Sequence, residues 1–129
     1  MYRNGLKWGD VLKTAYYGKD YSKLWKARVE MNKAIERAKT QVSGLQDIMP
    51  GAYEFRMAML DFLNFEKFTV EKAWMPFEKL TAQTSEEEFK KHMTYLQSMA
   101  KYETEYMGKL FAAQDYFAKN NGIIISRNK

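Results

Sequence analysis

The sequence contains no cysteine and only one histidine, His92, among its 129 residues. Without cysteine, one chain forms no disulfide, thiolate nucleophile, iron–sulfur cluster or cysteine-ligated zinc site. A single histidine excludes a multi-histidine metal site, and any catalytic triad would have to include His92. No serine or aspartate pattern beside His92 indicates a nucleophile with its base. The sequence therefore predicts a non-enzymatic protein with no catalytic residue, metal or cofactor.

Proline and glycine are scarce as well, at two and seven residues, which favours long uninterrupted helices. No apolar run approaches the roughly 18 residues of a membrane-spanning helix, so we expect no membrane span. The first eighteen residues contain no apolar segment of the kind that a signal peptide requires. Two expectations for the compartment stay open: the protein is intracellular, or it is exported and its leader is missing from this sequence.

Apolar residues make up 46% of the chain and aromatic residues 16%, which is ample material for the core of one domain. Turn-forming residues cluster at 44–51 (GLQDIMPG), 81–85 (TAQTS) and 120–122 (NNG). The predicted fold class is all-α, an elongated up-down-up bundle of three long helices within a single domain, 1–129. The predicted helices span about 10–45, 52–81 and 85–120, and an extended tail follows at 123–129.

Heptad spacing supports the first and third of these helices. Apolar residues recur four and three apart from Tyr17 to Leu45 and again from Phe89 to Phe117. This spacing keeps them on one face of a helix, whereas a strand would need a period of two. Ser85 with Glu88 three residues later is typical of a capping box at the start of the third helix.

The middle helix carries two apolar stripes, which predicts packing on two sides. Pro76 removes a backbone donor and clashes with the carbonyl of Lys72. We therefore expect a kink or break near Pro76.

One charged residue interrupts each apolar seam: Arg28, Glu66 and Glu103. If the chain folds as antiparallel hairpins about the two turns, these residues lie at similar heights, to within about one helical turn. The favoured interpretation is a buried ionic cluster that fixes the register of the helices. The alternative is a carboxylate site for a small ligand or a metal ion.

A second stripe on the third helix is rich in tyrosine, and three helices have no surface left to cover it. Exposed apolar surface of this kind is typical of interaction sites. We predict that a second copy or another helical protein covers it and completes a four- or six-helix bundle. The predicted interface residues are Tyr95, Tyr102, Tyr106, Leu60 and Trp74.

Basic residues are concentrated in the first segment, where ten Lys or Arg face four acidic residues up to Leu45. Five of them share one stripe: Lys19, Lys23, Lys26, Lys33 and Arg37. A solvated face is the favoured interpretation, because no aromatic residues alternate with these bases as nucleic-acid binding would require. We expect no specific nucleic-acid partner. Weak attraction to an anionic surface is the third and weakest hypothesis.

Two segments carry a resemblance to known proteins. Arg56 to Glu66 (RMAMLDFLNFE), the Ser-Glu-Glu cap and Leu110 to Asn120 (LFAAQDYFAKN) resemble a family of exported bacterial surface proteins and predicted lipoproteins of unassigned function, over roughly residues 45–122. The resemblance implies an exported, periplasmic or cell-surface location and supplies no catalytic residues.

Two functions follow from these observations. The first is a non-enzymatic helical interaction or structural protein, of the bacterial cell envelope if the resemblance holds. The alternative is a helical bundle that binds a small ligand or metal through the Arg28, Glu66 and Glu103 cluster.

Overall fold

The computed structural model describes residues 1–124, and the end of the predicted tail at 125–129 lies outside this range. The predicted all-α class is confirmed: 81% of the described residues are helical, and they form no strand. Residues 1–124 form four α-helices, α1 (Tyr2–Gly18), α2 (Leu24–Ser43), α3 (Ala52–Thr69) and α4 (Glu86–Asn120). A π-helical turn, Val70–Trp74, and a 3₁₀ segment, Met75–Lys79, prolong α3.

The predicted continuous helix at 10–45 is wrong, because the chain breaks between Gly18 and Leu24. Lys19 adopts the left-handed conformation, with φ of 56°, and its backbone N–H bonds to the carbonyl of Ala15. The Asp20 side chain then accepts a hydrogen bond from the Ser22 backbone, at 3.0 Å. Aspartate and serine compete with helical hydrogen bonds in this way, so α1 ends and folds back onto α2.

The predicted middle helix, 52–81, also departs from regular geometry, near the position where Pro76 was expected to disturb it. The α-helix ends at Thr69, and the wider π turn and tighter 3₁₀ segment carry the chain to Lys79. Pro76 has no N–H to donate into an α-helical ladder, which accounts for the change of winding. Leu80 is extended and begins the turn to α4.

The core lies at the end of the molecule where α1, α2 and the irregular segment meet. Trp8 of α1 stacks on Trp74, with ring centroids 4.4 Å apart, and meets the edge of Phe77 at 5.7 Å. Phe77, Leu24 and Ile35 are fully buried there. Rings of this size contribute most of the apolar area that a small core removes from water.

Antiparallel packing of α3 and α4 forms the long axis of the molecule. Phe55 meets Phe117 and Phe65 meets Tyr106, with ring centroids 5.5 Å and 4.8 Å apart. The Ser85 hydroxyl accepts a hydrogen bond from the Glu88 backbone at 3.1 Å, as the capping pattern predicts. At the opposite end, the Asn121 side chain donates to the Pro50 carbonyl at 2.8 Å.

Coverage of this hairpin is uneven. α4 contains 35 residues and α2, which packs on α3 and its irregular extension, only 20, so α2 covers only part of the hairpin. No residue at 52–62 or 103–117 is fully buried. This uncovered part of α3 and α4, far from Trp8, is called the distal hairpin below.

Removing the Trp8 side chain tests the role of α1 in the core. Trp8→Ala is expected to lower the free energy of unfolding by about 3–5 kcal/mol, because it deletes a large buried ring stacked on Trp74. Tyr2→Ala, at an exposed position of the same helix, serves as the control and is expected to change it by less than about 0.5 kcal/mol. Urea unfolding followed by circular dichroism measures both. Equal effects would show that α1 is not part of the cooperative core.

Candidate functional site

An open groove runs between α3 and α4 on the side away from α2. One stripe of side chains from each helix lies along the groove. Its members are three and four residues apart in the sequence, and such residues share a helical face. Lys67, about 200° around α3 from Phe65, forms an ion pair with Glu36 of α2 at 3.0 Å, which places α2 on the other side. The groove has a volume of about 700 Å³ and is lined by Asp61, Asn64, Phe65, Phe68, Tyr95, Met99, Tyr102, Tyr106 and Lys109.

Three of the predicted interface tyrosines line this groove. Tyr95 and Tyr102 expose 42% and 48% of their surface. Tyr106 is half-buried and stacks on Phe65, and the Lys109 ammonium lies 5.7 Å from its ring. The groove therefore offers aromatic faces with hydroxyl groups at their edges, a composition that is common in interfaces.

The other two predicted interface residues lie elsewhere. Trp74 needs correction: it is buried against Trp8 at the core end and is not available to a partner. The expectation failed because α1 supplies cover that a three-helix arrangement lacked. Leu60 is half-buried on α3 and is not among the residues that line the groove.

Behind the groove, Glu66 lies beside Glu103. Each directly follows a groove residue, Phe65 and Tyr102, and so lies toward the contact between the two helices. Glu66 is buried, and its Oε1 atom has no hydrogen-bond partner among the described residues. Burial raises the pKa of Glu66 to about 8, and the hydrogen bond and negative charge of Glu103 act in the same direction. Glu66 therefore stays mostly protonated at neutral pH.

The predicted three-residue ionic cluster needs correction at Arg28. Its guanidinium donates to both carboxylate oxygens of Glu78, with an Nη2–Oε1 distance of 3.2 Å. Both side chains are mostly buried, so the pair ties α2 to the 3₁₀ segment. The register between α2 and the antiparallel α3 explains the change. Glu36 of α2 lies opposite Lys67 of α3. Arg28 lies about two turns earlier on α2, so its position is opposite residues that follow Glu66 in the chain.

The predicted basic stripe is also divided by the break after α1. Lys19 lies at the end of α1, where its ammonium is 4.6 Å from the Tyr16 ring and 3.6 Å from Glu86. Lys33 pairs with Glu30 on α2, at 3.6 Å. The exposed basic residues at and along α2 are Lys23, Lys26, Lys33 and Arg37.

His92 is a half-buried residue near the start of α4. Its Nε2 atom lies 3.4 Å from Glu88, and its ring lies 5.6 Å from that of Phe77. Residues 1–124 contain no group of three or more His, Asp or Glu side chains placed to hold a metal ion. No helix in that range combines the length and hydropathy that a bilayer span requires.

Sequence reasoning missed Phe68, Asp61 and Asn64 on the α3 side of the groove. The signal was present, since positions 61, 64, 65 and 68 follow helical spacing. It was obscured because the exposed side of this helix was assigned to Leu60 and Trp74.

Comparisons of the chain with protein-family models, curated protein sequences and solved structures find no match.

Replacing Glu66 by Gln tests the raised pKa of this buried carboxyl group. Because the pKa of Glu66 is raised in the fold, its contribution to stability is fully present below its ordinary value, near 4.5, and is lost as pH rises through about 8. Glu66→Gln imitates the protonated side chain and should not lose that contribution. The variant is therefore expected to exceed the parent in stability at pH 9, by at most about 5 kcal/mol, and by much less at pH 4.5.

Chemical unfolding of both proteins between pH 4.5 and 9 gives the difference in their free energies of unfolding. The contributions of the other carboxylates are the same in both proteins and cancel in this difference. Glu36→Gln is the matched control, because that carboxylate is exposed and its pKa is lowered by Lys67. A constant difference between Glu66→Gln and the parent at every pH would contradict the raised pKa of Glu66.

Proposed function

We propose that this protein is a non-enzymatic helical interaction module and that it pairs with a second copy of itself through the α3–α4 groove. The observation that carries the proposal is the aromatic lining of an open groove on a hairpin that has only two helices over much of its length. Apolar side chains exposed together in this way usually mark an interaction site.

The dimensions of this face suit pairing of two hairpins. The stripe from Tyr95 to Tyr116 spans about 32 Å, and two adjacent helices are about 20 Å wide. Their product, roughly 640 Å², is close to the roughly 800 Å² per partner of a standard interface. Exposed Tyr53, Met57 and Tyr116 extend the apolar surface along the distal hairpin.

A second copy is the simplest occupant of such a face. A two-fold axis lets one self-complementary patch close the assembly without leaving an open end. The α3 and α4 helices of two chains would form a four-helix bundle with both aromatic stripes inside.

The location of this function is a separate part of the proposal. The resemblance of residues 56–66 and 110–120 to exported bacterial surface proteins supports work in the bacterial cell envelope. Fractionation of the source cells, with detection of this chain in cytoplasmic and envelope fractions, tests it. Recovery in the cytoplasm alone would contradict an envelope role.

Charge introduced into the groove tests self-association. Tyr95→Glu with Tyr102→Glu should convert a dimer to a monomer, because each would bury an unpaired carboxylate in the interface. Both tyrosines are largely exposed, so the monomer should keep its helical content. Tyr106 is left unchanged because it packs on Phe65 within the chain.

The matched control is Tyr2→Glu with Tyr17→Glu, which adds the same charge to exposed positions of α1. Sedimentation velocity measures the mass of parent, variant and control over a range of concentrations. A dimer that survives in the Tyr95 and Tyr102 variant, or one lost only in the control, would place the contact on another face.

The volume of the groove supports small-ligand binding as a second candidate function. Its volume of about 700 Å³ falls in the usual range for small-molecule sites, and Asp61, Asn64 and Lys109 provide polar groups at an aromatic wall. Since Arg28 pairs with Glu78, this candidate rests on the groove and not on the predicted three-residue cluster. Thermal-shift screening with aromatic acids and amines tests it, and hits unaffected by Tyr102→Glu would count against the groove.

A further inference from the structure

Helix α1 has apolar side chains on two opposite faces. Trp8, Leu12 and Ala15 are buried in the core. On the other side, Tyr2, Leu6 and Tyr17 lie within about 60° of one another around the helix. These three side chains expose 80%, 54% and 73% of their surface. Tyr17 meets the edge of the neighbouring Tyr16 ring, with centroids 5.4 Å apart, and most of this second apolar face is left uncovered.

Basic side chains accompany this outer face. Lys13 shares its stripe, and Arg3 lies at its edge together with the acidic Asp10. Lys7 lies about 80° further around α1 from Tyr17, at a shallow cleft between α1 and the start of α2 that Lys23, Asp10 and Asp20 also line. Among the ion pairs of residues 1–124, none involves these four cations. The segment up to Leu45 holds ten of the 21 basic residues but only four of the 16 acidic ones, so the positive charge of the chain is concentrated here.

We propose that the outer face of α1, formed by Tyr2, Leu6, Lys13 and Tyr17 with flanking Arg3, Lys7 and Lys23, docks on an anionic lipid bilayer surface. The helix lies flat, with Leu6 and the tyrosine rings at the headgroup level and the ammonium groups among the lipid phosphates. Amphipathic helices rich in lysine bind membrane surfaces in this orientation. Each basic residue near such a surface contributes about a fivefold gain in affinity.

Lipid fits this face better than nucleic acid does. Leu6 is aliphatic and gains by entering an acyl boundary, whereas a base offers it no stacking partner. Tyrosine is enriched at membrane interfaces, where its ring and hydroxyl meet different environments. Lysine stems extend along apolar surface while their charged ends stay in water.

Vesicle flotation tests the proposal with the intact chain. Vesicles of phosphatidylcholine and phosphatidylglycerol in equal parts should bind the protein, and phosphatidylcholine vesicles should bind it far more weakly. Leu6→Gln should weaken binding about tenfold, by removing apolar burial. Lys7→Gln and Lys13→Gln should each weaken it about fivefold, and added salt should reduce it further.

Matched controls are Lys101→Gln and Lys119→Gln, two exposed lysines of α4 that should leave binding unchanged. The Tyr95 and Tyr102 groove variant should also bind vesicles like the parent, which separates this proposal from self-association. All substituted positions are exposed, and circular dichroism checks that each variant keeps its fold.

Three results would overturn the proposal. They are absence of binding to the anionic vesicles, equal binding by Leu6→Gln and the parent, and equal losses in the α4 controls. Binding to a DNA duplex or an RNA oligonucleotide without retention on vesicles would likewise overturn it and reassign the face to nucleic acid.

Discussion

The difference in length between the helices is the constraint on which the rest of this structure depends. The 35 residues of α4 span about 52 Å, whereas the 20 of α2 span about 30 Å. Two short helices therefore build a closed core at one end of a long hairpin and leave the other end with two helices. The stacked Trp8 and Trp74 rings mark the closed end, and the groove tyrosines mark the transition to the open one.

The partners of the two carboxyl groups in the interior, Glu78 and Glu66, differ between the closed and the open end. At the closed end, Glu78 is paired with Arg28, which satisfies both charges. Glu66 lies near the limit of the cover and has only another carboxyl, Glu103, beside it. A buried carboxyl without a cation costs stability at neutral pH. We therefore hypothesise that Glu66, directly behind the groove, is kept because it makes the pairing of α3 with α4 specific. The pH dependence of Glu66→Gln measures that cost.

Much of the helical framework could be predicted from local patterns. The Ser85 cap and the heptad spacing located α4 almost to the residue, and the tyrosine stripe that they defined lines the groove. The break between α1 and α2 escaped this reasoning because Tyr17, Tyr21 and Leu24 continue the heptad spacing across it. Its causes are a left-handed Lys19 and the burial of Trp8 against residues some 66 positions away, which no local period reveals.

The pairing of Arg28 with Glu78 could not be predicted from the sequence for a related reason. Its register depends on the path of the 44–51 connection, where Asp47 pairs with Arg56 and the chain runs beside the start of α3. A symmetrical turn would place Arg28 near Glu66, whereas the observed path moves it to Glu78. Register across a loop of eight residues is a property of packing at both ends and not of spacing within one helix.

Distance measurement between two copies of the chain tests the central claim, that a second copy covers the α3–α4 groove. The chain has no cysteine, so Ser98→Cys, beside the groove residue Met99, gives a single site for a spin label. The account predicts a defined intermolecular distance for this label and a longer or absent one for a label at Ser22, near the core end. No dipolar coupling at position 98 at high protein concentration, or a short distance only at position 22, would contradict it.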